Sequence, residues 1–153
     1  MYVHDRIPAE RRVDLEPNSN EVIWLEIQIA GGKILLGTYY RPPGGTKPDI
    51  DYFVNNLQIS LDKAFSSKPK CVLMLGDFND RWEGNHNASD LKNQSVDIVL
   101  MNGLHQLITE PTRLTATSAN LLDLIITDSP GYVLDRGVSP PVCNSDHCLI
   151  YCV

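Results

Sequence analysis

Hydrophobic residues fill every second position in an early segment of the chain, in the order Ile23, Leu25, Ile27 and Ile29. A period of two is typical of a β-strand with one apolar face. Gly31 and Gly32 follow, and glycine readily adopts the positive φ angles of a tight hairpin turn. The stretch "EVIWLEIQIAGGKILLGTYY" is therefore predicted to form two strands joined by a Gly-Gly turn.

A helical period replaces the alternation after the loop "RPPGGTKP", which is too rich in proline and glycine for a helix or a strand. In "DIDYFVNNLQISLDKAFSS", apolar residues recur at helical spacing, at Ile50, Phe53, Val54, Leu57, Leu61 and Phe65. Asp49 is the expected N-cap of this helix. A second, shorter helix is predicted over "SVDIVLMNGL", with Gly103 ending it.

Apolar runs mark the other strands. The run "KCVLMLGD" is predicted to be buried on both faces, "NLLDLIITD" is another buried strand, "HCLIYCV" a final strand and "HQLI" a short one. A polar loop is expected over roughly residues 78–92, and connections over "TEPTRLTATSA" and most of "SPGYVLDRGVSPPVCNSD". Strands beside amphipathic helices predict a single α/β layered domain over residues 1–153.

The composition fits a globular protein, since 42% of the 153 residues are apolar and 21% are charged. No apolar run reaches the length of a membrane span, and "MYVHDRIPAERR" lacks the apolar core of a signal peptide. We therefore expect an intracellular protein, nuclear or cytoplasmic, that is neither secreted nor bound to a membrane. The four cysteines lack zinc-finger spacing and are expected to be reduced.

A net charge of −6 argues against a protein that coats nucleic acid by charge alone. The same charge is compatible with an enzyme that acts on phosphodiesters. Carboxylates that hold a divalent cation make such a site acidic before the metal binds.

Polar clusters lie at or inside the ends of three predicted strands. Asp77 and Asn79 follow "LMLG", Asp123 interrupts an apolar run, and Asp146 and His147 begin the final strand. A buried, unpaired carboxylate is costly, so each acid needs a cation, a hydrogen-bond donor or water. One shared site would satisfy them all, because carboxylates suit Mg²⁺ and an Asp–His pair suits proton transfer or charge stabilisation.

Each of these features also has a simpler explanation on its own. Asp77 and Asn79 are typical of an Asx turn. Asp123 could pair with an arginine, and His147 could be a core histidine whose hydrogen bonds are satisfied. Phe78, between the two polar residues, is predicted to point away from them into the core.

The motifs "GDFND", "LDLIITD" and "SDHCLI", in that order, resemble the endonuclease/exonuclease/phosphatase superfamily, which includes the DNase I-like nucleases. More narrowly, "LGTYYRPP", "EPTR", "LLDLIITD" and "NSDHCLI" resemble the endonuclease domain of non-LTR retrotransposons. The resemblance runs from about "VIWLEI" to the C-terminus, and it implies a DNase I-like α/β sandwich. It also implies Mg²⁺-dependent hydrolysis of DNA, with Mn²⁺ as the alternative ion.

The resemblance implies roles for individual residues. Asp77 would orient or deprotonate the attacking water, and Asn79 would hold that nucleophile and a phosphate oxygen. Asp123 would steer His147, which would stabilise the charge that develops on the phosphate. The implied metal ligands are Asp146 and Asp77. The implied substrate-binding residues are Tyr40 at the scissile phosphate, Arg41, Thr112, Arg113, Asn144 and Ser145, although Arg113 could equally be a surface charge.

The family also has an N-terminal strand bearing an asparagine and a glutamate that is a main magnesium ligand, and no motif here matches either. We therefore expect a sandwich that is incomplete at the N-terminus, exposes an apolar sheet face and cleaves DNA weakly or not at all by itself. The expected partners are DNA, a reverse transcriptase domain in a longer parent protein, and a second copy bound through the exposed sheet face.

Two other interpretations remain open. The chain could be a catalytically inactive, element-derived remnant or an interaction module. It could also be a superfamily relative that acts on phosphorylated lipids or small molecules, an interpretation that "YYRPP" and "EPTR" disfavour.

Overall fold

A computed structural model describes residues 1–17, 21–80, 82 and 94–153. Most of the polar loop predicted at residues 78–92 lies outside this description. The described residues include two 3₁₀ turns, at Val13–Leu15 and Pro130–Tyr132. The other elements are β1 (Ala9–Arg11), β2 (Glu21–Ile29), β3 (Gly32–Tyr40), α1 (Lys47–Ser66), β4 (Cys71–Asp77), α2 (Gln94–Met101), β5 (His105–Gln106), β6 (Arg113–Leu114), β7 (Ala119–Asn120), β8 (Asp123–Thr127), β9 (Arg136–Ser139) and β10 (Leu149–Cys152).

Six of these strands form one mixed sheet in the order β1-β2-β3-β4-β8-β5. Strands β3 and β4 are parallel, with α1 as the crossover between them, and the other neighbours are antiparallel. The predicted hairpin is confirmed, because β2 pairs with β3 along its whole length and Gly31 has φ 77° in the turn. The predicted α/β layered class is confirmed as well.

The main core lies between the sheet and the helices. Phe53, Leu57 and Leu61 of α1 share a buried cluster with Val72 and Met74 of β4. The neighbouring side chains of β4, Leu73 and Leu75, are only half-buried. The prediction that this strand is buried on both faces was therefore wrong: one face joins the fully buried cluster, and the other is only partly covered.

Helix α1 begins two residues before the predicted segment. Its N-cap is Thr46, and Asp49 occupies the third helical position. The Asp49 carboxylate accepts hydrogen bonds from the Thr46 backbone N–H, at 2.8 Å, and from its hydroxyl, at 2.7 Å. Asp49 thus stabilises the start of the helix from inside its first turn, as in a capping box, and the prediction that it is the N-cap was wrong.

Short strands occur in two segments that were predicted to be connections. The segment "TEPTRLTATSA" contains β6, which pairs with β7, and "SPGYVLDRGVSPPVCNSD" contains β9, which pairs with β10. These strands have two to four residues, too few for an alternation to be recognised. The predicted end of α2 is confirmed, since Gly103 follows it with φ 65°.

The four cysteine thiols are unpaired, as expected. Among the described residues, no helix combines the length and the apolar character needed to cross a membrane.

Candidate active site

The last residue of β4 and the first residue of β8 form the floor of the site. These residues are Asp77 and Asp123, which lie directly opposite each other in the antiparallel ladder. Directly opposed residues point to the same face of a sheet, so both carboxylates emerge on one side. Both side chains are half-buried.

His147 joins these two acids from the segment that leads into β10. Its Nδ1 lies 2.9 Å from Oδ2 of Asp123, which confirms the predicted contact with His147 rather than with an arginine. Two backbone interactions hold this segment in place. His147 forms an isolated β-bridge with Arg113, and the Cys148 N–H donates to the Thr112 carbonyl at 2.7 Å. The ligand atoms of Asp77, Asp123 and His147 all lie within 4.8 Å of one another.

Asp77 and Asn79 form the Asx turn that was the simpler explanation for their spacing. The Asn79 N–H donates to Oδ1 of Asp77 at 3.0 Å, and Asn79 adopts φ 46°. The Asn79 side chain then donates from Nδ2 to the Arg41 carbonyl at 2.7 Å. The turn therefore fixes Asp77 at the site instead of competing with a site role. Phe78 is fully buried between them, as predicted.

The pKa of Asp77 is raised above its usual range. Burial is the largest cause, and the nearby charge of Asp123 acts in the same direction. The hydrogen bond from Asn79 and the neighbouring His147 oppose the shift. Two half-buried acids that face each other favour a proton or a cation between them.

Arg41 was expected to bind substrate, but its side chain is buried. Its Nε donates to the Phe78 carbonyl at 2.6 Å, and its terminal nitrogen donates to the Asn79 carbonyl. Because these bonds engage the guanidinium inside the protein, Arg41 positions the turn between Asp77 and Asn79. The preceding residue, Tyr40, is 40% exposed and pairs with Asp77 across the β3–β4 ladder.

Thr112 was also expected near the nucleic acid, yet it is completely buried. Its hydroxyl accepts hydrogen bonds from the backbone N–H groups of Leu122, at 3.1 Å, and Asp123, at 2.9 Å. These two N–H groups lie just before β8 and at its first residue. Thr112 thus fixes the backbone of Asp123 and does not face solvent.

Arg113 and Asp146 form an exposed ion pair with an Nε–Oδ2 distance of 2.8 Å. The hydrogen bond from Arg113 lowers the pKa of Asp146. Ser145 accepts the backbone N–H of His147 on its hydroxyl at 3.0 Å, so it orients the turn before the histidine. Asn144 is exposed in the same turn.

An oxygen-rich set of ligands is available at this site. The carboxylates of Asp77 and Asp123 converge beside His147, and hard cations such as Mg²⁺ prefer carboxylate oxygen. The raised pKa of Asp77 fits this interpretation, because a bound cation would relieve the repulsion between the two acids. Asp146, the other predicted ligand, lies next to His147 in sequence but is engaged by Arg113.

Two residues near the site were missed by the sequence analysis. Asp80 is buried, with Oδ2 accepting the Ser95 N–H at 3.2 Å and Oδ1 lying 3.9 Å from the Arg41 guanidinium. Its pKa is raised, chiefly by burial. Gly76 allows the close approach of β3, since a Cβ there would lie 1.8 Å from the Tyr39 carbonyl oxygen. The available signal was the position of both residues on either side of the Asp77–Asn79 motif.

Comparison with known proteins agrees with the fold. A family model described as endonuclease-reverse transcriptase matches residues 34–151. The endonuclease domain of TRAS1, a telomere-specific non-LTR retrotransposon, superimposes with a TM-score of 0.75 at 19% identity, covering 95% of this chain and 67% of that domain. The DNase I-like α/β fold implied by the motifs is therefore confirmed.

Two further solved structures have the same fold. The 3′ phosphatase NExo from Neisseria, bound to a product DNA hairpin, gives a TM-score of 0.64 at 13% identity, over 99% of this chain and 71% of the other. An AP endonuclease from Archaeoglobus fulgidus gives 0.60 at 19% identity, over 85% and 64%. No curated protein matched the sequence.

Proposed function

Because the chain belongs to the endonuclease-reverse transcriptase family, whose model matches residues 34–151, we propose that its site hydrolyses phosphodiester bonds of DNA with Mg²⁺, or with Mn²⁺ as the alternative ion. The observation that carries the proposal is the convergence of Asp77, Asp123 and His147 at the ends of neighbouring strands. The similar structures include a retrotransposon endonuclease domain, a 3′ phosphatase bound to a product DNA hairpin and an AP endonuclease, which support the same substrate class.

Asp77 is the proposed base that orients and deprotonates the attacking water. Its half-buried carboxylate has a raised pKa, which makes it a better proton acceptor than an ordinary aspartate. Asn79 lies two residues after Asp77, and its Nδ2 donates a hydrogen bond to the Arg41 carbonyl. The side-chain oxygen of Asn79 is thereby directed as a hydrogen-bond acceptor for the same water, and its second amide hydrogen serves a phosphate oxygen.

His147 is the proposed donor to the phosphate. Asp123 accepts the Nδ1–H of the imidazole at 2.9 Å, so Nε2 is the atom that faces the substrate. The N–H at Nε2 can then donate to a non-bridging phosphate oxygen and stabilise its negative charge. Tyr40, which is 40% exposed at the end of β3 beside Asp77, is the proposed contact of the scissile phosphate, with Asn144 and Arg113 as further contacts.

Asp77 and Asp146 are the proposed metal ligands, with Asp123 as the neighbouring carboxylate. When bound, the cation would neutralise charge on the leaving oxygen. Binding through Asp146 requires that carboxylate to share or release its bond with Arg113. We infer weak affinity and slow cleavage for this chain alone, because the described residues beside His147 supply only two half-buried carboxylates.

The deciding experiment is plasmid nicking with Mg²⁺ or Mn²⁺ by the wild type, Asp77→Asn and His147→Ala. His105→Ala is the matched control, because His105 is exposed on β5, away from these acids. We expect each site variant to lower the rate at least about 100-fold and the control to have no effect. Metal-independent nicking, or full nicking by His147→Ala, would refute the proposal.

The inactive remnant or interaction module is tested in the same assay. The N-terminal segment of a related endonuclease domain is fused before this chain. If neither the folded wild type nor this fusion nicks DNA at any metal concentration, the inactive remnant or interaction module is favoured. If that added segment produces nicking that His147→Ala abolishes, the nuclease assignment is supported.

The remaining partner proposals are a reverse transcriptase domain in a longer parent protein and self-association through the sheet. Leu25, Leu36 and Leu73 lie in register on adjacent strands and are half-buried. A second copy that covers this row would bury it fully. Sedimentation equilibrium should show a concentration-dependent dimer that Leu36→Glu weakens and Leu100→Glu, on the exposed face of α2, does not.

A further inference from the structure

Arg41 binds three consecutive carbonyl groups in the segment that carries the proposed base. Its backbone N–H donates to the Asp77 carbonyl at 2.8 Å, and its side chain donates to the carbonyls of Phe78, at 2.6 Å, and Asn79. Asn79 has φ 46°, a left-handed conformation that costs energy for a residue with a side chain and persists where surrounding contacts hold it. The geometry of this segment therefore depends on where the Arg41 guanidinium lies.

The Arg41 guanidinium is a buried cation whose described hydrogen bonds go to neutral carbonyls. The residue is only 7% exposed. A cation that has lost its hydration needs an opposite charge nearby, because leaving it uncompensated inside the protein is costly. Asp80 supplies that charge, since its Oδ1 lies 3.9 Å from a terminal nitrogen of Arg41.

The two carboxylate oxygens of Asp80 have different surroundings. Oδ2 accepts the Ser95 N–H at 3.2 Å, and Ser95 lies in the first turn of α2, where N–H groups have no partner within the helix. Oδ1 is buried and has no hydrogen-bond partner among the residues that the structure describes. Burial raises the pKa of Asp80, while the hydrogen bonds from Ser95 and the charge of Arg41 oppose the rise. One oxygen thus stabilises α2, and the other lies beside Arg41.

We propose that Asp80 is a positioning residue for the hydrolysis. Its negative charge keeps the Arg41 guanidinium against the Phe78 and Asn79 carbonyls, and Asp77 and Asn79 thereby keep the positions that the reaction requires. This role rests on the proposed nuclease function, and Asp80 acts through Arg41 without touching the substrate. The competing role is purely structural: Asp80 would only accept the Ser95 N–H at the start of α2. The first role needs a charge, whereas the second needs only an acceptor oxygen.

Asp80→Asn separates the two roles, because asparagine has the same shape and keeps an acceptor for the Ser95 N–H but carries no charge. We expect kcat for plasmid nicking to fall about tenfold and KM for DNA to stay within about twofold, since the reacting groups shift while the DNA contacts remain. Asp97→Asn is the matched control, because Asp97 is exposed in the first turn of α2. An unchanged kcat in Asp80→Asn, or an equal fall in Asp97→Asn, overturns the proposal.

A double-mutant cycle tests whether Asp80 acts through Arg41. Arg41→Lys keeps the positive charge, but an ammonium group cannot reproduce the planar fork that spans two carbonyls. We expect Arg41→Lys to lower kcat about tenfold, and Asp80→Asn to lower it little further in that background. If the two changes lower kcat independently, so that their effects multiply, Asp80 does not act through Arg41.

NMR spectroscopy detects the same contact without turnover. The Arg41 Nε–H is bonded to the Phe78 carbonyl inside the protein, so its proton should exchange slowly with water. We expect Asp80→Asn to speed this exchange at least about tenfold, while the amide protons of α2 keep their wild-type protection. Wild-type exchange at the Arg41 Nε–H in the variant would overturn the proposal.

A pH titration of the wild type covers the case in which Asp80→Asn does not fold. Arg41 and Asp97 are the charged groups that act on Asp80 in the described structure. As pH falls, the Arg41 Nε signal should shift with the same midpoint as the Asp80 carboxyl carbon, because protonation removes the charge that holds the guanidinium. A signal that does not follow the Asp80 midpoint would overturn the proposal.

The positioning role and the nuclease function fail separately. If the wild type nicks DNA, His147→Ala does not, and Asp80→Asn nicks as fast as the wild type, the positioning role fails and the nuclease function stands. If the wild type does not nick DNA, the nuclease function fails, and the exchange of the Arg41 Nε–H alone decides whether Asp80 holds Arg41 against this segment.

Discussion

Asp77 and Asp123 lie directly opposite each other, as the pair where β8 begins and β4 ends. Like charges at directly opposed positions of an antiparallel ladder are destabilising. The His147 Nδ1 lies 2.9 Å from Oδ2 of Asp123 on the other side, whereas the hydrogen bond described for the Asp77 carboxylate comes from the Asn79 N–H. The repulsion between the two carboxylates therefore lowers the stability of the fold, and a bound cation would relieve it.

Asp77→Asn is expected to stabilise the metal-free fold while abolishing cleavage. The amide has the same shape, keeps an oxygen for the Asn79 N–H and removes the repulsion from Asp123. We expect a gain of roughly 0.5–1 kcal/mol in the free energy of unfolding at neutral pH, measured in urea. Mg²⁺ should raise the melting temperature of the wild type more than that of the variant.

The pH dependence of this gain has a definite sign. The folded protein raises the pKa of Asp77, so ionisation of this acid lowers the stability of the wild type as pH rises above the usual carboxyl range. The difference between the variant and the wild type should therefore shrink as pH falls towards the ordinary carboxyl value of 3.8 and be lost below it. A wild type that is more stable than Asp77→Asn at pH 7 without metal would contradict the repulsion.

Thr112→Val is expected to weaken both the fold and the site. The change leaves the buried N–H groups of Leu122 and Asp123 without an acceptor, which should lower the free energy of unfolding by about 2 kcal/mol. Cleavage should also slow, because the backbone of Asp123 is no longer fixed. Thr112→Ser keeps the hydroxyl and is the matched control. Equal urea midpoints for the two variants would show that the hydroxyl is unimportant.

Gly76→Ala is expected to prevent close pairing of β3 and β4. The added Cβ would lie 1.8 Å from the Tyr39 carbonyl oxygen, and Gly76 has φ 153°. We expect a loss of about 3 kcal/mol or more in the free energy of unfolding. Gly131→Ala, where a Cβ meets nothing within 4 Å, should change it by less than about 0.5 kcal/mol. Similar melting curves for both variants would contradict this account of the strand pair.

Glu26→Gln is expected to remove a pH-dependent contribution to stability. Lys33 and Arg12 donate to Glu26 at 2.9 and 2.5 Å, and the hydrogen bond from Lys33 is the main cause of its lowered pKa. A lowered carboxyl pKa stabilises the fold above its usual value of 4.5, and this contribution is lost as pH falls through the folded-state pKa. The variant should be less stable by about 1–2 kcal/mol at pH 7. Urea titrations should show the gap closing towards pH 3, and a constant gap would refute the linkage.

The sequence by itself determined the elements whose signal is local. Alternation and a Gly-Gly turn specify the β2–β3 hairpin, and helical spacing specifies most of α1. The sequence also indicated that the acids at the strand ends are paired, because a carboxylate in an apolar run needs a partner wherever the strand lies. The contact between Asp123 and His147 followed from that requirement together with the family motifs.

Only the tertiary structure decided which polar residues are exposed at the candidate site and which are buried beneath it. Arg41 and Thr112 lie in motifs with the exposed Tyr40 and Arg113, yet they are buried and hold the backbones of Asn79 and Asp123. A polar side chain can be buried where it forms hydrogen bonds with backbone carbonyl or N–H groups of a distant segment. The pattern of residues around it in the sequence does not show whether such groups are nearby. Strands β6, β7 and β9 could not be predicted from the sequence either. A strand this short is stabilised by its pairing with another strand, and it has too few residues to show an alternation.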